Sequence, residues 1–241
     1  MAGITNAGNF STDSGTIKLD GNYPTGTHNV ALGDTALDTV ESGATGNVAI
    51  GSGAGTAITT GGGNIAVGKN ALVTNTTGSS NHAIGNEALE ANTTANNNVA
   101  IGFRALEANT TGAQNISIGN YSLDENTTGY NNLAIGYSAL TEMVTGNGNT
   151  AIGNYTLDAS TANHNTAVGY ASLTENTTGT ANIAIGSYVL DANTTASNNT
   201  AVGYQALTAN TTANNNTAVG KDALGGNTTG NENVAVGVNA L

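Results

Sequence analysis

Small, polar and branched apolar residues follow one rhythm along most of the chain. The run Asn-x-Ala-(Ile/Val/Leu)-Gly opens at Asn29, Asn47, Asn64, Asn81, Asn98, Asn115, Asn132, Asn149, Asn165, Asn182, Asn199, Asn216 and Asn233. The step is 17 residues, except for 18 between Asn29 and Asn47 and 16 between Asn149 and Asn165. The idealised unit reads N-x-A-(I/V)-G-x-x-A-L-x-x-N-T-T-x-x-x. This period is too short for helix-pair or leucine-rich repeats, and it suits one turn of a β-solenoid. The pattern predicts an all-β, parallel β-solenoid of 13 coils over residues 29–241. Residues 1–28 lie outside the repeat and are expected to form an N-terminal cap or attachment segment.

Each unit predicts two short strands and two turns. The first strand is x-A-(I/V), and its branched residue (Leu32, Ile50, Val67, Ile101, Val202) is expected to face inward. Neighbouring strand residues point to opposite faces, which puts the preceding Ala outside. That position is Ala in twelve copies and Ser117 in one. A face kept so small is expected to press against another surface. The second strand holds Ala-Leu, as in Ala36-Leu37, Ala88-Leu89 and Ala206-Leu207, with Leu as the other core residue. Every copy has a Gly after the first strand, the residue suited to positive φ or close backbone approach. The opening Asn tolerates turn conformations. Asn-Thr-Thr recurs at Asn75, Asn92, Asn109, Asn126, Asn176, Asn193, Asn210 and Asn227. Stacked coils bring identical side chains within hydrogen-bonding reach, so ladders of Asn and Thr are expected. These triplets also match a glycosylation sequon, but the ladder already accounts for their recurrence.

Composition narrows the function classes. Only 8% of the 241 residues are charged, and the net charge is −12. The four basic residues, Lys18, Lys69, Arg104 and Lys221, are scattered, which argues against nucleic acid and against anionic membrane surfaces. Cys is absent, so neither a disulfide scaffold nor thiol chemistry is expected. No apolar run reaches the roughly 18 residues of a membrane span. The first residues, MAGITNAGNFSTDS, lack the basic and apolar regions of a secretory leader. A protein of this kind working outside a cell is therefore expected to arrive by another route, such as assembly into a virion.

Candidate chemistry is sparse. His28, His82 and His164 have no metal-ligand spacing to one another. His82 replaces Val, Ile or Thr on a strand, and in a threefold assembly it would form a ring of three. Acidic residues recur after the repeat Leu at Asp38, Glu90, Glu107, Asp124, Asp158 and Asp191. They read as a solvated edge that limits association rather than as a paired acid and base. The Gly-Gly-x-Gly-x-Asp pattern of calcium-binding β-rolls is missing. No catalytic residue, cofactor or metal site is expected, and the chain is not read as an enzyme. The aromatics Phe103, Tyr121, Tyr137, Tyr155, Tyr170, Tyr188 and Tyr204 follow the Gly by one place and then two in alternate coils. Strand alternation would send them to alternate sides, an arrangement that relieves crowding. They are also the candidate ligand surface, because aromatic faces suit sugars.

Two or three large apolar side chains per coil bury little surface relative to the chain ordered, which points to an oligomer. Here the runs NVAIG, NTAVG and NIAIG matter. Recurring in register from Asn29 to Leu241, they resemble the head repeats of trimeric autotransporter adhesins and similar repeats in tail-fibre-like virion proteins of tailed phages. The resemblance implies a left-handed parallel β-roll with three chains side by side. This repeat departs from the usual head unit by its Asn-Thr-Thr arm, and no stalk heptads or membrane anchor are visible. The expected function is a structural and adhesive fibre or head segment on a virion or cell surface. Its partners would be a homotrimer and a host-surface receptor, glycan or protein. The alternatives are an ice-binding β-solenoid, or an architectural filament or surface-layer subunit without a receptor.

Overall fold

A computed structural model describes Ile17–Lys18 and residues 28–241. The other residues of the 1–28 segment, and with them most of the expected cap or attachment region, lie outside the described residues. Strand β1 (Ile17–Lys18) pairs antiparallel with β2 (Val30–Leu32), placing Ile17 opposite Leu32. From β2 onward each coil adds one three-residue strand, ending at β14 (Val234–Val236). All neighbours from β2 to β14 are parallel and follow chain order in a single sheet. Register is strict: Ala stands beside Ala from coil to coil, as in Ala83↔Ala100 and Ala201↔Ala218. The chain is thus an all-β parallel β-solenoid with a coil of about 17 residues.

The strand faces the opposite way from the sequence expectation. The middle Ala points into the coil and is buried, whereas the branched residues beside it point out. Ile50, Ile84, Ile101 and Ile185 are 37 to 41% exposed. The reason is the thickness of the coil. The strand Ala looks across at the position before the repeat Leu, which is Ala in nine coils and the buried Ser122, Thr156, Ser172 or Val189 in the other four, so the strand side has room only for a small group. In the one coil where both are Ser, Ser117 Oγ lies 2.5 Å from Ser122 Oγ and 2.7 Å from the Ser122 carbonyl oxygen. The Ala column is therefore small because the opposing wall of its own coil is close. The surface open to a partner is the apolar one formed by the branched residues.

The Ala-Leu segment is not a second strand. The repeat Leu has φ near +50 to +57 at positions such as Leu72, Leu106 and Leu190, and the residue two before it is also positive. Such left-handed residues cannot extend a strand. Leu still fills the core, because this turn aims its side chain inward, and Leu72, Leu89, Leu106 and Leu140 are fully buried. The turns stack like the strands: the Leu106 amide donates to the Ser122 carbonyl one coil on at 3.0 Å. One coil departs and compensates. Gly55 replaces Leu, and Ile58, in the slot of the Asn-Thr-Thr Asn, supplies the missing bulk; a Cβ on Gly55 would sit 2.9 Å from Ile58 Cδ1.

Two buried Asn columns tie the coils together, as the ladder expectation requires. At every step from Asn29 to Asn233 the amide of the opening Asn donates to Oδ1 of the preceding opening Asn, at 2.8 to 3.0 Å. The second column rises from Asn75 through Asn92, Asn109 and Asn126, the last three each donating from Nδ2 to the Oδ1 below. It resumes from Asn176 to Asn227. Between the columns sits a Gly or Ala whose carbonyl takes a bond from both sides. The Gly78 carbonyl, for example, accepts from Asn64 and Asn75, each at 2.9 Å. The first Thr of the triplet donates its hydroxyl to the carbonyl one coil on, as from Thr93 to Thr110 at 3.1 Å.

Candidate functional site

The two positions after the Gly build the most distinctive surface. The Gly leaves the strand at φ near +135, and the second residue after it is itself left-handed, as at Tyr121, Tyr155 and Tyr188. This corner turns both positions toward one edge of the coil. The rings therefore do not go to alternate sides, as strand alternation would require. Phe103, Tyr121, Tyr137, Tyr155, Tyr170, Tyr188 and Tyr204 form one continuous column, with successive centroids 5.3 to 6.2 Å apart and planes 68 to 89° to each other. The alternation of place is what permits edge-to-face contact. A ring at the same place in every coil would meet its neighbour face on, the less favourable aromatic arrangement. Tyr121 is half-buried, and the other six rings are 36 to 46% exposed.

The acidic row lies alongside. Near its start Arg104 pairs with Glu107, sits 3.8 Å from Glu87, and places its guanidinium 5.9 Å from the centre of the Tyr121 ring. Glu90, Arg104, Glu107, Asp124 and Glu125 line a groove of about 410 Å³. Glu87, Glu90 and Glu107 offer oxygens within 4.8 Å of one another. Glu87 was outside the sequence reading because it follows the Gly rather than the Leu. Arg104 supplies the positive charge this group requires. Burial raises Glu90 above the ordinary carboxylate range; repulsion from Glu87 and Glu107 adds to the shift, while Arg104 and Lys69 oppose it.

Further along, burial pushes the Asp124 carboxyl up to about 6, helped by repulsion from Glu125. Its Oδ1 is buried without a hydrogen-bond partner. Burial also raises Asp158, with a hydrogen bond from Thr141 opposing the shift. Thr208 Oγ1 donates to Asp191 Oδ1 at 2.6 Å. A second groove, of about 300 Å³, is lined by Ala171, Thr174, Glu175, Tyr188, Asp191 and Ala192. The row is thus a partly buried hydrogen-bonding margin of the aromatic column, more than the solvated edge expected of it.

The histidines are not brought together. His28 and His164 occupy the left-handed position before the opening Asn in widely separated coils, and His82 points outward from the sheet. The arrangement as a whole offers rings, carboxylates and hydroxyls on one long edge, and an apolar sheet face beside it. No protein-family model, no curated protein and no solved structure matches this chain, so the parallel β-solenoid with its coil of about 17 residues stands as the fold that the structure itself establishes.

Proposed function

We propose that this chain is a non-enzymatic fibre or head segment that displays a repetitive surface outside a cell, on a virion or a cell surface, with three chains packed side by side as left-handed β-rolls. The observation that carries the reading is the outward face of the sheet. The two positions flanking the buried Ala, from Val30 to Val236, are Val, Ile, Leu or Thr, with His82 as the single exception. No charged residue stands at either position in any coil. An apolar strip along all 13 parallel strands exceeds the isolated patches common on monomers, and it marks an interface. Covering it with like chains would give each thin coil the large-residue burial it lacks internally. At about 4.8 Å per coil the stack is roughly 60 Å long, a rod suited to multivalent display. Low basic content and the in-register NTAVG-type repeats support the same reading.

Light scattering at several concentrations tests it. A stable mass of three times 23.7 kDa is expected. A clean monomer overturns the trimer and the interface together. Electron microscopy adds the shape: discrete short rods are expected, whereas end-to-end polymers would make the chain an architectural filament instead.

A further inference from the structure

The edge that carries the rings has a period of two coils, twice that of the backbone. Where the ring stands two places after the Gly, at Tyr121, Tyr155 and Tyr188, the residue after the repeat Leu is acidic: Asp124, Asp158 and Asp191. Where the ring stands one place after the Gly, at Tyr137, Tyr170 and Tyr204, that residue is Thr141, Thr174 or Thr208; Phe103, also one place after its Gly, is followed by Glu107, so the pairing begins at Tyr121. Fold stability does not require this coupling, because the same backbone elsewhere carries Lys69, Asn86 or Lys221 after the Gly. The result is a row of three like units, each with two rings, one carboxylate and one hydroxyl. Asp191 accepts a hydrogen bond from Thr208 of the next coil and Asp158 one from Thr141 of the previous coil, whereas Thr174 donates to the Tyr155 carbonyl at 3.4 Å. Like groups recur about 10 Å apart along the stack. Among the described residues, no protein group hydrogen-bonds the phenol oxygens of these six tyrosines.

We infer that this ledge binds an extended, uncharged β-linked polysaccharide lying along the stack. Four features select that ligand class. Aromatic rings pack against the C–H faces of pyranose rings, a contact with both apolar and directional character. Carboxylates and hydroxyls at the margin accept and donate the hydrogen bonds that fix sugar hydroxyls. In a β-1,4-linked chain, successive sugars are turned by half a turn, so the same face recurs every second sugar, and the ledge repeats the same ring and acid every second coil. Charge sets the rest of the specificity. No Lys or Arg occurs between Arg104 and Lys221, while Asp124, Asp158 and Asp191 flank the rings, so an anionic polymer is repelled. The inference rests on the display reading for its setting, and it does not depend on how many chains assemble.

The test is titration calorimetry on the full chain, followed in parallel by tyrosine fluorescence, which no Trp obscures. The probes are β-1,4-linked oligomers of glucose and of N-acetylglucosamine, from dimer to hexamer, with maltohexaose and polygalacturonate as controls. At least one β-linked series should bind and tighten with each added pair of sugars. Tyr155→Ala and Tyr188→Ala should each weaken binding by about tenfold. Removing a ring also removes two edge-to-face contacts, so Asp191→Asn, which preserves shape, serves as the second variant and should weaken binding with the fold intact by circular dichroism. Tyr130→Ala, outside the column, should change nothing. The ledge is overturned if no β-linked hexamer binds, if polygalacturonate binds more tightly, or if the Tyr155→Ala and Tyr188→Ala variants bind like the parent. A trimeric rod that binds no hexamer would overturn the ledge and leave the fibre reading standing. A monomer that binds would do the reverse.

Discussion

Met143 stands one coil above Asn126, in the slot where an Asn would donate to it, and the buried Oδ1 of Asn126 has no hydrogen-bond partner. Below this point the rung is intact, since Asn126 Nδ2 donates to Asn109 Oδ1 at 2.8 Å. Above it, Ser160 replaces the next Asn, and only a 3.4 Å contact joins it to Asn176. An unpaired buried acceptor costs about 1–3 kcal/mol. Met143→Asn restores the donor but gives up about 1.5–3 kcal/mol of buried apolar side chain, so the terms nearly cancel and a net change within about 1 kcal/mol is expected. Urea unfolding of the two proteins measures it; a loss well beyond that would mean that Met143 contributes more by packing than the missing rung would.

Gly102 and Gly226 separate two uses of glycine. At Gly102, φ is +139, and an added Cβ would lie 2.5 Å from the Gly119 carbonyl oxygen one coil on. Gly102→Ala therefore meets both backbone strain and a backbone clash that side-chain rotation cannot relieve, and it should cost about 3 kcal/mol or more. Gly226 has nothing within 4 Å of that position. Gly226→Ala should stay within about 0.5 kcal/mol of the parent. Similar losses from both would remove the close approach of the Gly column as the cause.

Asp124 makes stability depend on pH in an uncommon direction for a carboxylate. Its folded value, about 6, lies above the ordinary value of about 4. The folded chain therefore holds the proton more tightly than the unfolded chain between these values. Its contribution is fully present below about pH 4 and is lost as pH rises through about 6. Partial exposure to solvent screens the effect to about 1 kcal/mol. Asp124→Asn should flatten this part of the stability profile and raise the urea midpoint at pH 7. A parent midpoint that rises steadily from pH 4 to 7, unaltered in the variant, would contradict the assignment.

Ile101 and Ile185 test the sheet face. Both point outward from strands whose Ala is buried, and they are 37 and 41% exposed in the single chain. The double variant Ile101→Lys, Ile185→Lys leaves the interior of each coil untouched. If like chains cover this face, burying unpaired charge there should reduce the solution mass to one chain. A retained mass of three chains would place the interface elsewhere.

Much of the fold was legible because the repeat itself is a physical statement. Asn at one position in every coil means that identical amides stack, and stacked amides form ladders. The Gly column was read from the need for positive φ or close approach, and Gly102 shows both. The candidate surface was legible only as a roll of aromatic positions. Its form as one column beside an acid-and-hydroxyl margin was not, because that depends on the corner after the Gly. The coupling of Tyr155 with Asp158 and of Tyr170 with Thr174 was open to a reading by coil pairs, but a search at a period of one coil passes over it. The Glu87–Glu90–Glu107 cluster was hidden for a related reason, since its members come from different positions of the repeat.

By itself, the sequence determined that the chain is a stack of like coils, where each coil begins, and that polar columns hold the stack in register. It could not determine which side of the strand faces in. A strand with Ala on one side and Ile or Val on both flanks is apolar on either face, so the pattern reads equally well both ways. Tertiary structure decided it through one distance, the gap between the strand and the opposing turn of the same coil. That gap seats Ala or Ser117 on the strand side against Ala, Ser, Thr156 or at most Val189 of the turn, all close-packed, and it leaves no room for a strand Ile as well. The branched side chains therefore line the outside, and the same closeness keeps the rings of successive coils in contact along a single edge.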